Sequence, residues 1–110
     1  MSFYAPDAVH ESPPLGTSFE GVAAIRGFYQ DWFNAYEGQE FELEQILDLG
    51  HGVLFAVARQ IARPIGSIGR VQTRMALGFE SVDGKIVGVI VYYDTDEARA
   101  AAERLAESRG

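Results

Sequence analysis

The chain has 110 residues, no cysteine and a formal net charge of −7. Its length fits one domain, residues 1–110, and a hydrophobic share of 47% is enough to bury a core. The acidity disfavours nucleic acid and anionic membrane surfaces as partners, because both require clustered Lys and Arg. No apolar run approaches the roughly 20 residues of a membrane span, and the first residues do not resemble a signal peptide, so we expect a cytoplasmic protein.

The first 20 residues predict mainly irregular structure. Pro6, Pro13, Pro14 and Gly16 interrupt this segment and leave room only for a short strand near Ala8–Glu11. No cofactor-binding motif and no metal-ligand spacing occurs here or later in the sequence, so we expect neither a cofactor nor a metal ion.

The clearest element is an amphipathic helix from about Val22 to Glu37. Its apolar residues recur at spacings of three and four, which places them on one face. They are Val22, Ile25, Phe28, Tyr29, Trp32, Phe33 and Tyr36. Gly38 follows at a position typical of the left-handed residue that ends a helix.

Four strands are predicted after this helix. Phe41–Leu49 ends at a Gly-His-Gly turn, and Val53–Arg63 is rich in β-branched and apolar residues. Arg70–Ser81 alternates between apolar and mainly polar positions, as a strand with two different faces does. Asp83-Gly84 predicts a type I′ hairpin turn that leads into the last strand, Lys85–Tyr93.

The last strand is apolar on both faces, which predicts that both of its sides are covered. One cover would be helices and the other a second subunit, so we expect a homodimer through the outer face of the sheet. The chain ends in a helix from Asp96 to about Glu107, made largely of Ala, Arg and Glu. Its thin apolar stripe predicts weak docking.

Three short motifs carry a family resemblance. They are Tyr4–Val9, the Phe-Glu-Gly segment Phe19–Phe28, and the final hairpin Asp83–Val87 whose strand ends at Tyr92–Asp94. In this order the sequence resembles SnoaL-like proteins of the nuclear transport factor 2 superfamily, also called ketosteroid isomerase-like. The resemblance implies an α+β fold in which a cone-like, curved antiparallel sheet of about four strands wraps around helices. The hollow of such a cone holds small apolar molecules.

The beginning of the chain departs from the family pattern. Members usually have a long helix and a shorter one before the Ala-Pro-Asp-Ala-Val segment, which begins here at Ala5. We therefore expect the helix that closes one side of the cone to be absent. Either the start of the chain has been lost, or a partner chain covers an otherwise exposed apolar face.

The resemblance implies a ligand class but no single activity. Relatives include polyketide cyclases, ketosteroid isomerase, limonene epoxide hydrolase and scytalone dehydratase, and many members have no known activity, so fold cannot stand in for function. We expect a small apolar-ligand pocket protein with isomerase, cyclase or dehydratase activity. The alternative is a non-catalytic ligand-binding or dimerisation domain.

Asp94 is the candidate catalytic residue. The resemblance places it where SnoaL-type cyclases carry an acid–base aspartate. A carboxylate at the apolar mouth of the cone would be desolvated and could transfer a proton. The alternative is structural, because Asp94 precedes the last helix and Glu97 follows three residues later, as in a capping box.

The candidate ligand-binding residues combine an apolar body with, in most cases, a polar tip. They are Tyr29, Trp32, Phe33, Tyr92, His10 and Arg74. The alternative for the aromatic residues is plain core. The alternative for Arg74 is a position on the outer face of the sheet, at a dimer interface or in a cross-strand ion pair with Glu42, Glu44 or Glu80.

Overall fold

The computed structural model describes residues 3–110, which form six strands and two helices. The strands are β1 (Tyr4–Ser12), β2 (Thr17–Glu20), β3 (Tyr36–Gly50), β4 (Val53–Pro64), β5 (Val71–Val82) and β6 (Lys85–Tyr92). The helices are α1 (Val22–Asn34) and α2 (Thr95–Arg109), and a single 3₁₀ turn spans Pro13–Leu15. Neither helix of this described part is long and apolar enough to cross a membrane.

All six strands belong to one curved sheet, in the order β2-β1-β6-β5-β4-β3. Strands β3 to β6 form an antiparallel meander, whereas β1 pairs parallel with β6 and antiparallel with β2. The predicted α+β class with a curved sheet is confirmed. The sheet is mixed and six-stranded, because the N-terminal segment adds a hairpin that sequence patterns did not predict.

This N-terminal hairpin corrects the prediction of mainly irregular structure. Gly16, with φ +66°, closes the 3₁₀ turn between β1 and β2. The prolines at 13 and 14 therefore make the turn of a hairpin. Pro6 is tolerated inside β1 because the pairing of β1 with β6 is irregular between Tyr4 and Val9, where no ladder hydrogen bond is lost. Residues 1 and 2 of the predicted segment lie outside the described range.

The first helix ends at Asn34, three residues before its predicted end. The chain leaves the helix there because Tyr36 already pairs with Pro64 in the β3–β4 ladder. Gly38, with φ +94°, is therefore part of β3, at a break in register between Tyr36 and Gln39. Such a bulge bends a strand, and it contributes to the curvature of the sheet.

The two faces of the sheet carry different helices. Helix α2 packs on the face that we call the outer face, where three alanines four residues apart, Ala98, Ala102 and Ala106, are buried against Val53 and Phe55. Docking therefore depends on close approach of small side chains. The homodimer predicted through the outer face stays a prediction, and α2 already covers the part of that face formed by β4 and β5.

Candidate functional site

The opposite face of the sheet, which we call the inner face, and helix α1 enclose a cavity of about 630 Å³. This volume lies within the range of small-molecule sites in proteins. The floor comes from β4, β5 and β6, and it consists of Ala56, Ala58, Met75, Leu77, Phe79 and Val91. One wall is the aromatic face of α1. A third side is formed by the β1–β2 hairpin, and β3 supplies part of the rim.

Strand alternation explains why this floor is apolar. On β5, the side chains of Met75, Leu77 and Phe79 point into the cavity. The side chain of Ala76 points toward α2, and Gly78 leaves room there for Ala102. Strand β4 behaves in the same way, with Ala56 and Ala58 facing the cavity. Because alanine side chains are short, the centre of the floor leaves the space that larger residues would fill.

Aromatic rings in mutual contact form the wall on α1. The rings of Phe28 and Trp32 are stacked with centroids 6.0 Å apart, and Trp32 and Phe33 with centroids 5.7 Å apart. Phe41 of β3 meets Trp32 edge to face at 6.1 Å. At the rim, Phe33 and Leu43 remain 46% and 63% exposed, so the mouth of the cavity is open and apolar.

His10 lies at the hairpin end of the cavity and is only 5% exposed. The rings of Phe28, Tyr29 and Phe19 surround its imidazole at centroid distances of 5.1, 5.4 and 6.4 Å. Burial lowers the pKa of His10 below its usual 6.5, and an interaction with its own backbone opposes that shift only in part. The imidazole is therefore neutral near pH 7. Within residues 3–110, its buried Nδ1 has no hydrogen-bond partner.

The other polar groups of the cavity are hydroxyls and the indole N–H of Trp32. Ser12 and Thr17 lie opposite each other in the β1–β2 hairpin, and the Ser12 hydroxyl donates to the carbonyl of Val91 at 2.9 Å. Burial, with a smaller contribution from Tyr4, raises the pKa of Tyr29. Among the described residues that line the cavity, none is Asp, Glu, Lys or Arg.

Four of the candidate ligand-binding residues line this cavity, and two do not. Tyr29, Trp32, Phe33 and His10 are in the lining. Tyr92 points to the outer face and packs against the core beneath α2. Arg74 also lies on the outer face, where its guanidinium donates to both carboxylate oxygens of Glu44 at 2.9 and 3.0 Å. That contact is one of the ion pairs that the sequence left open as the alternative for Arg74.

Asp94 occupies the N-cap of α2. Its Oδ1 accepts a hydrogen bond from the backbone N–H of Glu97 at 2.9 Å, and Asp94 is not part of the cavity lining. The geometry is the capping arrangement that the spacing of the two acidic residues indicated. The neighbouring Tyr93, which directly follows the last residue of β6, does line the cavity.

Among the polar residues of the lining, two groups were not predicted from the sequence. Ser12 and Thr17 were missed because the β1–β2 hairpin has few residues and no alternation long enough to predict it. Tyr93 could have been found, because it is two residues from Val91 and side chains two apart point to the same face of a strand. Burial of part of its surface, with a smaller contribution from Tyr36, raises the pKa of Tyr93.

Comparison with known proteins identifies the family and the fold. A SnoaL-like domain model matches residues 1–89. A solved protein with a ketosteroid isomerase-like fold from Catenulispora acidiphila, in complex with trimethylamine, has 15% identity and a TM-score of 0.75, covering 92% of this chain and 77% of its own. A nuclear transport factor 2-like protein from Burkholderia thailandensis has 20% identity and a TM-score of 0.73, and the match covers 97% of this chain and 81% of that protein. TerC, co-crystallised with polyporic acid, has 16% identity and a TM-score of 0.71, and the match covers 93% of this chain and 82% of TerC.

These identities show a shared fold and nothing finer. A search of curated proteins found no match to this sequence.

Proposed function

The chain belongs to the SnoaL-like domain family, and on that premise we propose that its cavity binds a small, uncharged and mainly apolar molecule. The observation that carries the proposal is the cavity of about 630 Å³ with an aromatic and aliphatic lining. A charged ligand would lose its hydration without gaining an opposite charge, which is costly. An apolar ligand gains about 25 cal/mol for each Å² of apolar surface that it buries.

Two proteins of similar fold have been solved with small organic molecules, which agrees with a ligand of that size. One is the Catenulispora acidiphila protein in complex with trimethylamine, and the other is TerC with polyporic acid. Their identities of 15% and 16% carry no ligand over to this chain. The class of ligand proposed here therefore depends on the residues of the cavity itself.

An enzymatic form of the proposal would be an isomerase, cyclase or dehydratase in which Asp94 transfers a proton. Binding has the better support, because the Asp94 carboxylate is engaged at the N-cap of α2 and does not line the cavity. A non-catalytic ligand-binding domain agrees with the same lining. Asp94→Asn separates the two forms, because it removes the acid–base group and keeps a helix cap.

Trp32 provides the means to test binding. It is the single tryptophan of the chain and it lines the cavity, so its fluorescence reports on occupancy. N-Phenyl-1-naphthylamine, an uncharged fluorescent amine, is a suitable probe because it accepts excitation energy from tryptophan. We expect saturable energy transfer from Trp32 to the bound probe.

A matched pair of variants locates the probe. Ala58→Leu adds three carbons to the cavity floor and should weaken binding at least tenfold, about 1.4 kcal/mol. Ala100→Leu makes the same change on the exposed side of α2 and should leave binding unchanged. Equal affinity of the Ala58→Leu variant and the unmodified protein would show that the probe binds elsewhere, and the proposal would be wrong.

A further inference from the structure

We propose that the β1–β2 hairpin is the polar recognition end of the cavity and that, through His10, it selects uncharged ring molecules bearing a hydroxyl group. The inference rests on the proposed binding function and adds the chemical class of the ligand. Its basis is a cluster of polar groups within the lining. Three of them, His10, Ser12 and Thr17, come from this one hairpin.

Backbone register brings these three side chains together. His10 and Ser12 are two residues apart on β1, so they point to the same side of the sheet. Thr17 of β2 is the direct partner of Ser12 in the antiparallel ladder. The walls that face them, on α1, β4 and β5, are apolar apart from the Tyr29 hydroxyl and the indole N–H of Trp32. A ligand with one polar end would therefore favour the orientation in which that end meets the hairpin.

The surroundings of His10 keep it uncharged. Phe19 faces its ring from β2, and Phe28 and Tyr29 face it from α1. Of these three residues only Tyr29 can titrate, and no carboxylate belongs to the described lining. A neutral imidazole offers one N–H donor and one lone pair, and within residues 3–110 the buried Nδ1 of His10 has no hydrogen-bond partner.

Ser12 complements this pattern. Its hydroxyl proton is committed to the carbonyl of Val91, so towards a ligand the oxygen can only accept a hydrogen bond. A hydroxyl group on the ligand can accept from the imidazole N–H while it donates to the Ser12 oxygen, or it can instead donate to the lone pair of His10. A carboxylate can only accept and brings an uncompensated charge, and a methyl group can do neither. The hairpin thus discriminates between these three groups.

Three ligands on one ring system test this discrimination: 2-naphthol, 2-methylnaphthalene and 2-naphthoate. Binding to the full chain would be followed by the indole N–H signal of Trp32 in ¹⁵N-labelled protein. We expect 2-naphthol to bind about tenfold more tightly than either of the other two, the effect of about one net hydrogen bond. Tighter binding of 2-naphthoate would overturn the inference.

Variants assign the preference to His10. His10→Phe should bind 2-methylnaphthalene as the unmodified protein does and lose the preference for 2-naphthol, whereas His10→Gln should retain part of it. His51→Asn is the control, since His51 is exposed in the β3–β4 turn. An undiminished preference in His10→Phe would contradict a role for His10.

A direct measurement on the unmodified protein covers the case in which His10→Phe does not fold. In protein labelled with ¹⁵N-histidine, 2-naphthol should shift the ring nitrogens of His10 and leave those of His51 in place. 2-Methylnaphthalene should change the His10 signals much less. If all three ligands bind without preference and Ala58→Leu weakens all of them, the proposed function stands and the inference fails. If Ala58→Leu changes nothing, the proposed function fails as well.

Discussion

The imidazole of His10 meets the phenol ring of Tyr29 edge to face, with ring centroids 5.4 Å apart. The contact joins β1 to α1 at the hairpin end of the cavity. Burial lowers the pKa of His10 and raises the pKa of Tyr29, so both side chains are neutral near pH 7. These two polar groups of the cavity thus have hydrogen-bonding capacity without charge.

The pH dependence of stability follows from the lowered pKa of His10. Above pH 6.5, the usual pKa of histidine, the residue is neutral in both the folded and the unfolded chain. Below pH 6.5 the unfolded chain takes up the proton first, so the free energy of unfolding should decrease as the pH falls, until the pH reaches the pKa of the folded state. Urea denaturation between pH 7.5 and pH 5 would measure this decrease.

The control for this prediction is again His51. His10→Phe should lose less stability over the same pH interval than the unmodified protein, whereas His51→Asn should follow the unmodified protein. If His10→Phe and the unmodified protein have parallel stability curves, His10 is not the group responsible.

Replacing Asp94 should affect stability and leave binding intact. Asp94→Ala removes the acceptor for the Glu97 N–H and should cost about 1 kcal/mol of unfolding free energy. Asp94→Asn should cost much less, because asparagine is an equally good N-cap residue. Both variants should bind N-phenyl-1-naphthylamine like the unmodified protein in the Trp32 fluorescence assay. Should a turnover be found that Asp94→Asn abolishes at unchanged stability, the acid–base role implied by the family resemblance would be correct.

Gly52 is a position where any side chain meets the neighbouring strand. Its φ is +78°, and a Cβ there would lie 2.5 Å from the carbonyl oxygen of Ser81. Gly52→Ala should therefore destabilise the protein by more than about 2 kcal/mol, since it adds a backbone clash to conformational strain. Gly84→Ala is the matched control, because Gly84 has φ +79° and open space around it, and strain alone should cost about 1 kcal/mol. Equal losses in chemical denaturation would contradict the clash.

The docking of α2 can be weakened without disturbing the cavity. A Cβ on Gly78 would lie 3.5 Å from the Cβ of Ala102, so the helix and β5 are in close contact. Ala102→Leu should overpack this interface and cost about 1–3 kcal/mol, whereas the exposed Ala100→Leu should have little effect on stability. Because α2 and the cavity are on opposite faces of the sheet, folded Ala102→Leu protein should keep its affinity for N-phenyl-1-naphthylamine. A loss of affinity comparable to that of Ala58→Leu would show that the two faces are coupled.

Much of the cavity could be predicted from short-range patterns. The spacing of Tyr29, Trp32 and Phe33 placed these rings on one face of a helix, and that face is the wall of the cavity. The alternation of Met75, Leu77 and Phe79 likewise placed them on one face of a strand. At Asp83 and Gly84 the φ values are +52° and +79°, as the predicted type I′ turn requires. These features are local, because helix and strand periods and turn preferences act over a few residues.

The sequence by itself thus determined the family, the α+β class and which residues share a face of each element. Only the tertiary structure decided what each face meets. The Ser12 hydroxyl reaches the carbonyl of Val91 across 79 residues of chain, and such long-range pairing leaves no periodic signal in the sequence. The parallel pairing of β1 with β6 brings His10 to the cavity. Local preferences restrict the conformations available to each segment, whereas the burial of apolar surface between distant segments selects one arrangement among them.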